Sequence, residues 1–220
     1  MMWWNALSAL GGMSVTGPLG IAVAVWLLAG RTWRLSLSWC LLFGIGMLLV
    51  VVTKVAWYGW GIGIPDWNFA GLSGHAMRSC AVYPVVFYLM FLKARPVSRH
   101  AALAAGVLLA VLISFSRLPV GAHSLSEVVL GGAVGLAVAA AFVVTARSEQ
   151  PAVVGRILVA LCVPLVLVMP FTKQVPAEQW VRQVAVQLSG NDPTPRKWKH
   201  GPDRKKVRQL QQVRQVQQAI

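Results

Sequence analysis

Residues 73–75 read Ser-Gly-His and stand at the mouth of a long apolar run; further on, 116–127 reads "SRLPVGAHSLSE", bringing Ser116, Arg117, His123 and Glu127. A serine just ahead of a helix caps it, and the first backbone N–H groups with the positive end of the dipole then form an anion site. His123 and Glu127 are four residues apart and share one helix face. There a carboxylate can hold one imidazole N–H and leave the other nitrogen as nucleophile or base. Lys54 and Arg117 add fixed positive charge, arginine being able to grip two phosphate oxygens at once. Two histidines, a carboxylate and several cations at one end of a helix cluster meet the needs of phosphoryl transfer. Those needs are charge neutralisation, an in-line nucleophile and a proton donor for the leaving oxygen.

Each feature alone has a plainer reading. Ser124 and Glu127 spell S-x-x-E, a capping box. Lys54 and Arg78 fit cations snorkelling from helix ends, and Asp66 in "IPDWN" fits a turn. The combination carries the argument, because the chain's topology puts every member on one face.

That topology follows from composition. Of 220 residues 57% are apolar and only 12% charged, and the mean hydropathy is +0.65, outside the range of soluble proteins. Apolar runs at 10–30, 35–53, 76–92, 101–115, 128–146 and 157–171 predict an all-α bundle of about six transmembrane helices, the first interrupted by Gly17 and Pro18. Met1, Met2, Trp3, Trp4 and Asn5 carry no positive charge, so no cleavable leader is expected, and the two tryptophans read as interfacial anchors. Cys40, Cys80 and Cys162 all fall in apolar runs and imply neither disulfides nor a metal site.

Six crossings would put Arg31, Arg34, Lys93, Arg95, Arg99, Arg147 and Arg156 on one face, which the positive-inside rule assigns to the cytoplasm. Lys54, Asp66, His75, Arg78, Arg117, His123 and Glu127 then share the opposite face. The site would look out of a bacterial inner membrane into the periplasm or exterior. The chain divides into a membrane domain, 1–172, and a basic, Gln-rich tail, 173–220, amphipathic over 177–188 and otherwise amphipathic or disordered. Ten of the twenty basic residues lie in that tail, so the net charge of +14 points to anionic headgroups and not to nucleic acid. A re-entrant sixth run would instead return the tail to the cytoplasm.

Together these residues resemble the type 2 phosphatidic acid phosphatases, which share their site with the vanadium haloperoxidases. That pattern has three parts: Lys, six residues, Arg-Pro; then Pro-Ser-Gly-His; then Ser-Arg, five residues, His, three residues, Asp. Here "LSGH" (72–75) supplies the second part and 116–127 the third, with both internal spacings intact and forty residues between His75 and Ser116. The resemblance covers roughly 54–135. It implies that His123 attacks phosphorus, that Glu127 stands where the family has the orienting aspartate, and that His75 protonates the leaving alkoxide. It implies also that Lys54, Ser73, the Gly74 backbone and Arg117 bind the phosphate oxygens, with no metal ion and no cofactor.

There are three departures. Glu127 replaces Asp, Leu72 replaces Pro, and the Arg-Pro of the first part would fall at Gly61 and Ile62. Arg78, one turn past His75, is the candidate replacement for that arginine. The expected function is a lipid phosphate phosphatase in the membrane, acting on an isoprenyl, glycerolipid or lipid A phosphate or pyrophosphate. The alternatives are a lipid-to-lipid phosphotransferase of the same family, or a noncatalytic protein that binds anionic lipids.

Overall fold

The computed structural model describes residues 2–147, 155–168 and 175–194. The boundary between the expected domains, the "RKWKHGPDRKK" loop and the Gln-rich end lie outside the described residues. Among the described residues eight α-helices follow in order: α1 (Met2–Leu10), α2 (Met13–Ala29), α3 (Trp33–Trp60), α4 (Gly74–Met90), α5 (Pro96–Phe115), α6 (Leu125–Ala146), α7 (Gly155–Val168) and α8 (Ala177–Ser189). A short 3-10 turn, Pro65–Trp67, interrupts the loop between α3 and α4. Among the described residues no strand forms, only one isolated bridge, Ile64 to Phe69. The fold is all-α.

Among the described residues, four segments are long and apolar enough to cross a membrane: Trp3–Ala29, Trp33–Trp60, Pro96–Phe115 and Leu125–Ala146; a shorter apolar helix covers Ile157–Val168. On α3 the exposed side chains Leu41, Ile45, Leu48 and Val52 recur at helical spacing. A stripe of that kind, apolar and outward, is what a hydrocarbon solvent favours.

At the centre stands α4, whose 17 residues include 14 that are buried. Small residues let its neighbours come close. A Cβ added at Gly106 of α5 would lie 2.8 Å from the Tyr83 carbonyl oxygen. One added at Gly131 of α6 would lie 2.7 Å from that of Ser73, and Gly135 one turn later faces Met77 and Cys80 just as tightly. The helix carrying His75 is therefore pinned against the helix that follows His123. Across the bundle Trp39 of α3 donates to the Gly20 carbonyl of α2 at 2.9 Å and meets Phe142 of α6 edge-on.

The first apolar segment is corrected in two respects. Its helix begins at α1, ahead of the run, and the break falls at Gly11 and Gly12; Gly17 and Pro18 lie inside α2. Gly12 takes an extended conformation and caps α2, whereas Pro18 costs α2 only one backbone bond well after its start. The amphipathic tail stretch is also a helix, and it packs on the protein. Ala185 of α8 is fully buried beside Trp57, Tyr58 and Ala70, so α8 lies at the same end of the bundle as the loop leading into His75.

Candidate active site

His123 lies in the turn between α5 and α6, and its Nδ1 donates to Glu127 Oε2 at 2.6 Å. That bond fixes the ring so that Nε2 carries the lone pair. The same carboxylate completes the capping box, accepting from the Ser124 backbone N–H at 3.3 Å while the Ser124 hydroxyl caps the Glu127 N–H. The two readings of S-x-x-E are therefore not alternatives: one carboxylate does both. Its other oxygen, Oε1, accepts from the Ala70 N–H at 3.0 Å, and the Glu127 carbonyl accepts from the Ser73 N–H at 3.0 Å. Glu127 thus joins the loop before α4 to the start of α6. Being 2% exposed, it is shielded from competing water.

Ser73 caps α4 as its position predicts, accepting from Ala76 N–H at 3.4 Å. The loop reaches it by crossing α3 closely at Gly71, whose φ of +115° favours glycine and where an added Cβ would lie 3.2 Å from the Lys54 backbone. Leu72 then donates its N–H to the Thr53 hydroxyl at 3.1 Å.

These constraints open a cavity of about 600 Å³ lined by Lys54, Gly74, His75, Arg78, Arg117 and His123, together with residues of α8. Lys54, Arg78 and Arg117, the three cations proposed from the sequence for phosphate, share this one cavity. Ser73 is buried behind it as a cap, Glu127 is buried behind His123, and Asp66 sits exposed in the 3-10 turn away from it. Lys54 and Arg78 are each 5% exposed, which overturns the snorkelling reading of both. Lys54 lies inside α3, which continues to Trp60, and not at its end.

Arg78 is held from behind. Its Nε donates to the Thr16 hydroxyl at 3.1 Å, and Nη2 reaches the Gly11 carbonyl at 3.5 Å. Nη1 folds back along α4 over Gly74, where an added Cβ would come within 2.9 Å of it. The glycine of Ser-Gly-His is thus needed to let the guanidinium lie over the helix mouth. Arg117 bonds the Ser8 hydroxyl of α1. Gly11 lies so near His75 that a side chain there would meet the imidazole Cδ2 at 3.3 Å.

His75 is the second residue of α4, ahead of the apolar run 76–92. Burial first, then the charges of Arg78, Arg117, His123 and Lys54, push its imidazole well below the ordinary histidine range. An arriving dianion would offset those charges.

Sequence reasoning missed Ser8, Gly11 and Thr16, which brace the arginines and His75 from the first two helices, and Glu178 of α8, which pairs with Lys54. Only Ser8 and Thr16 left a trace, as hydroxyls within an apolar segment.

Residues 53–150 match the PAP2 superfamily. The chain is 34% identical over 197 residues to an uncharacterized 22.5 kDa protein in the cps region of Klebsiella pneumoniae, covering 87% of this chain and 94% of that one. It is 31% identical over 147 residues to phosphatidylglycerophosphatase B of Bacillus subtilis, covering 61% and 71% respectively. No solved structure matches the chain. With relatives matched over most of their own length and the family segment spanning Lys54 to Glu127, this chain belongs to the PAP2 superfamily.

Proposed function

We propose that this protein is a metal-independent lipid phosphate phosphatase of the bacterial inner membrane, working through a phosphohistidine. The observation that carries the reading is the 2.6 Å bond between His123 and Glu127 at the wall of a cavity shared with His75, Lys54, Arg78 and Arg117. The Nε2 lone pair of His123 attacks phosphorus. As the N–P bond forms, the bond from phosphorus to the lipid oxygen breaks, and that oxygen takes a proton from His75. Water then gives its proton back to His75 and attacks phosphorus, releasing inorganic phosphate and restoring His123. Lys54, Arg78 and Arg117, with the backbone at Ser73 and Gly74, hold the phosphoryl oxygens. Arg78 takes the part of the arginine that position 61 lacks.

The substrate is a phosphomonoester or pyrophosphate of an isoprenyl, glycerolipid or lipid A. The Bacillus subtilis relative, by its name a phosphatidylglycerophosphatase, favours the glycerolipid arm. Positive loops on the far face favour a site that looks outward.

The test is phosphate release by the purified full-length chain across a panel of these lipid phosphates. His123→Ala is expected to abolish release. Full activity in that variant would sink the proposal.

A further inference from the structure

Glu178 lies outside the segment that matches the family, yet its carboxylate reaches into the site. Its Oε2 pairs with Lys54 Nζ, and its Oε1 accepts from the Tyr58 hydroxyl at 2.5 Å. Lys54 and Tyr58 are one turn apart on α3, so the two oxygens of one carboxylate span them. The lysine side chain is 6% exposed and that of Glu178 48%, which places the pair at the cavity rim with the cation inside. Among the described residues lining the cavity, Glu178 is the single acidic side chain, set against Lys54, Arg78 and Arg117. A carboxylate in that place presents a negative charge and paired oxygens where the proposed reaction needs a phosphate to bind.

The attachment of α8 is lopsided. Its carboxyl end is tied to the end of α3: Asn191 Nδ2 donates to the Gly59 carbonyl at 3.1 Å, and the Thr194 N–H donates to that of Tyr58 at 3.0 Å. Its amino half meets α3 through Glu178 and, one turn on, through Val181, which packs with Trp57 and Tyr58. Along the outer flank Trp180, Val184 and Leu188 are exposed at four-residue spacing. An apolar stripe of that kind suits the boundary between headgroups and acyl chains, so the amino end can lift while α8 stays at the membrane surface.

We propose that α8 is an internal competitor for the phosphate site. In the empty protein Glu178 holds Lys54, and a phosphorylated lipid is admitted by exchanging its phosphate for that carboxylate. This rests on the phosphatase reading for its substrate and deepens it. A phosphomonoester carries close to two negative charges at neutral pH, a diester lipid only one. Competition with a carboxylate therefore favours monoesters over the diester lipids of the surrounding bilayer.

The experiment is a calorimetric titration of inorganic phosphate into the full-length chain in phosphatidylcholine nanodiscs, with phosphate release measured on the same samples. Glu178→Gln keeps the shape and removes the charge; it is expected to bind phosphate roughly 5- to 10-fold more tightly than the natural chain and to lower KM with kcat unchanged. Tyr58→Phe, which leaves the carboxylate in place, is expected to move affinity the same way by about 2-fold. Equal or weaker phosphate affinity in Glu178→Gln overturns the proposal, since the carboxylate would then be positioning Lys54, and so does the absence of phosphate binding by either protein. Tighter binding in Glu178→Gln without phosphate release from any lipid sinks the phosphatase reading and leaves the competition standing. Release with unchanged KM and unchanged phosphate affinity sinks the competition alone.

Discussion

Replacing Glu127 with glutamine tests the proposed nucleophile through its support. Both carboxylate oxygens accept hydrogen bonds: Oε1 from the buried Ala70 N–H, Oε2 from His123 Nδ1 and the Ser124 N–H. A glutamine offers one acceptor and one donor. If its NH2 faces Ala70, two donors oppose each other in a buried place, at a cost of about 1–3 kcal/mol. The amide is therefore expected to keep its oxygen toward Ala70 and turn its NH2 toward His123, giving up the longer, part-buried bond from the Ser124 N–H in place of the buried one. The ring must then accept at Nδ1 and carry its proton at Nε2, the atom that should attack. Loss of the tautomer is expected to lower kcat by about 10³-fold, or about 4 kcal/mol at roughly 1.4 kcal/mol per factor of ten. Stability should fall far less, because the Ala70 bond and the cap hydroxyl survive. Phosphate release and thermal unfolding of the same preparation check both numbers. A Glu127→Gln protein with kcat within tenfold of the natural chain would refute the assignment of His123 as nucleophile.

Gly74→Ala sets a methyl group 2.9 Å from Arg78 Nη1 and should displace the guanidinium from the cavity, raising KM about tenfold in a phosphate-release assay with a smaller effect on kcat. Burial and the neighbouring positive groups hold His75 low, so the empty site loses its proton at a pH below the ordinary histidine range; kcat/KM should therefore fall as pH rises through that lower range. Bound phosphate offsets those charges, so the fall in kcat should come at higher pH than the fall in kcat/KM, and a rise of kcat/KM with pH would count against His75 as the proton donor.

What the sequence disclosed was what short-range spacing encodes. The four-residue step from His123 to Glu127 brings the two side chains together, and that pair forms, although His123 stands in the turn just ahead of the Ser124 cap and not on the helix face that the spacing predicts. A serine before an apolar run is a cap, and Ser73 is one. Alternation of apolar runs put Lys54, His75, Arg117 and His123 at one end of the bundle, and one cavity holds them. Pairings across long stretches of chain leave no periodic mark. Glu178 meets Lys54 from 124 positions away, and Thr16 meets Arg78 from 62 away. The break at Gly11 and Gly12 carries no mark in the sequence beyond two glycines, and Gly17 with Pro18 does not break the helix, because a proline costs a helix only the bonds its own ring removes.

The departure in the first part of the family pattern has a structural reading. Position 61 closes α3 as its left-handed cap, with φ at +68°, a conformation that costs a side-chain-bearing residue about 1–2 kcal/mol. An arginine there would oppose the turn that sends the loop back toward Ala70 and Glu127. In the site proposed here the second guanidinium comes instead from α4, one turn past His75. That solution needs space over the helix mouth and support behind it. Gly74 leaves the space, and Thr16 with the Gly11 carbonyl gives the support. The triplet Ser-Gly-His and the break between α1 and α2 are in this way parts of one device. The serine caps, the glycine admits Arg78, and the chain turning at Gly11 braces the arginine while passing against the histidine ring.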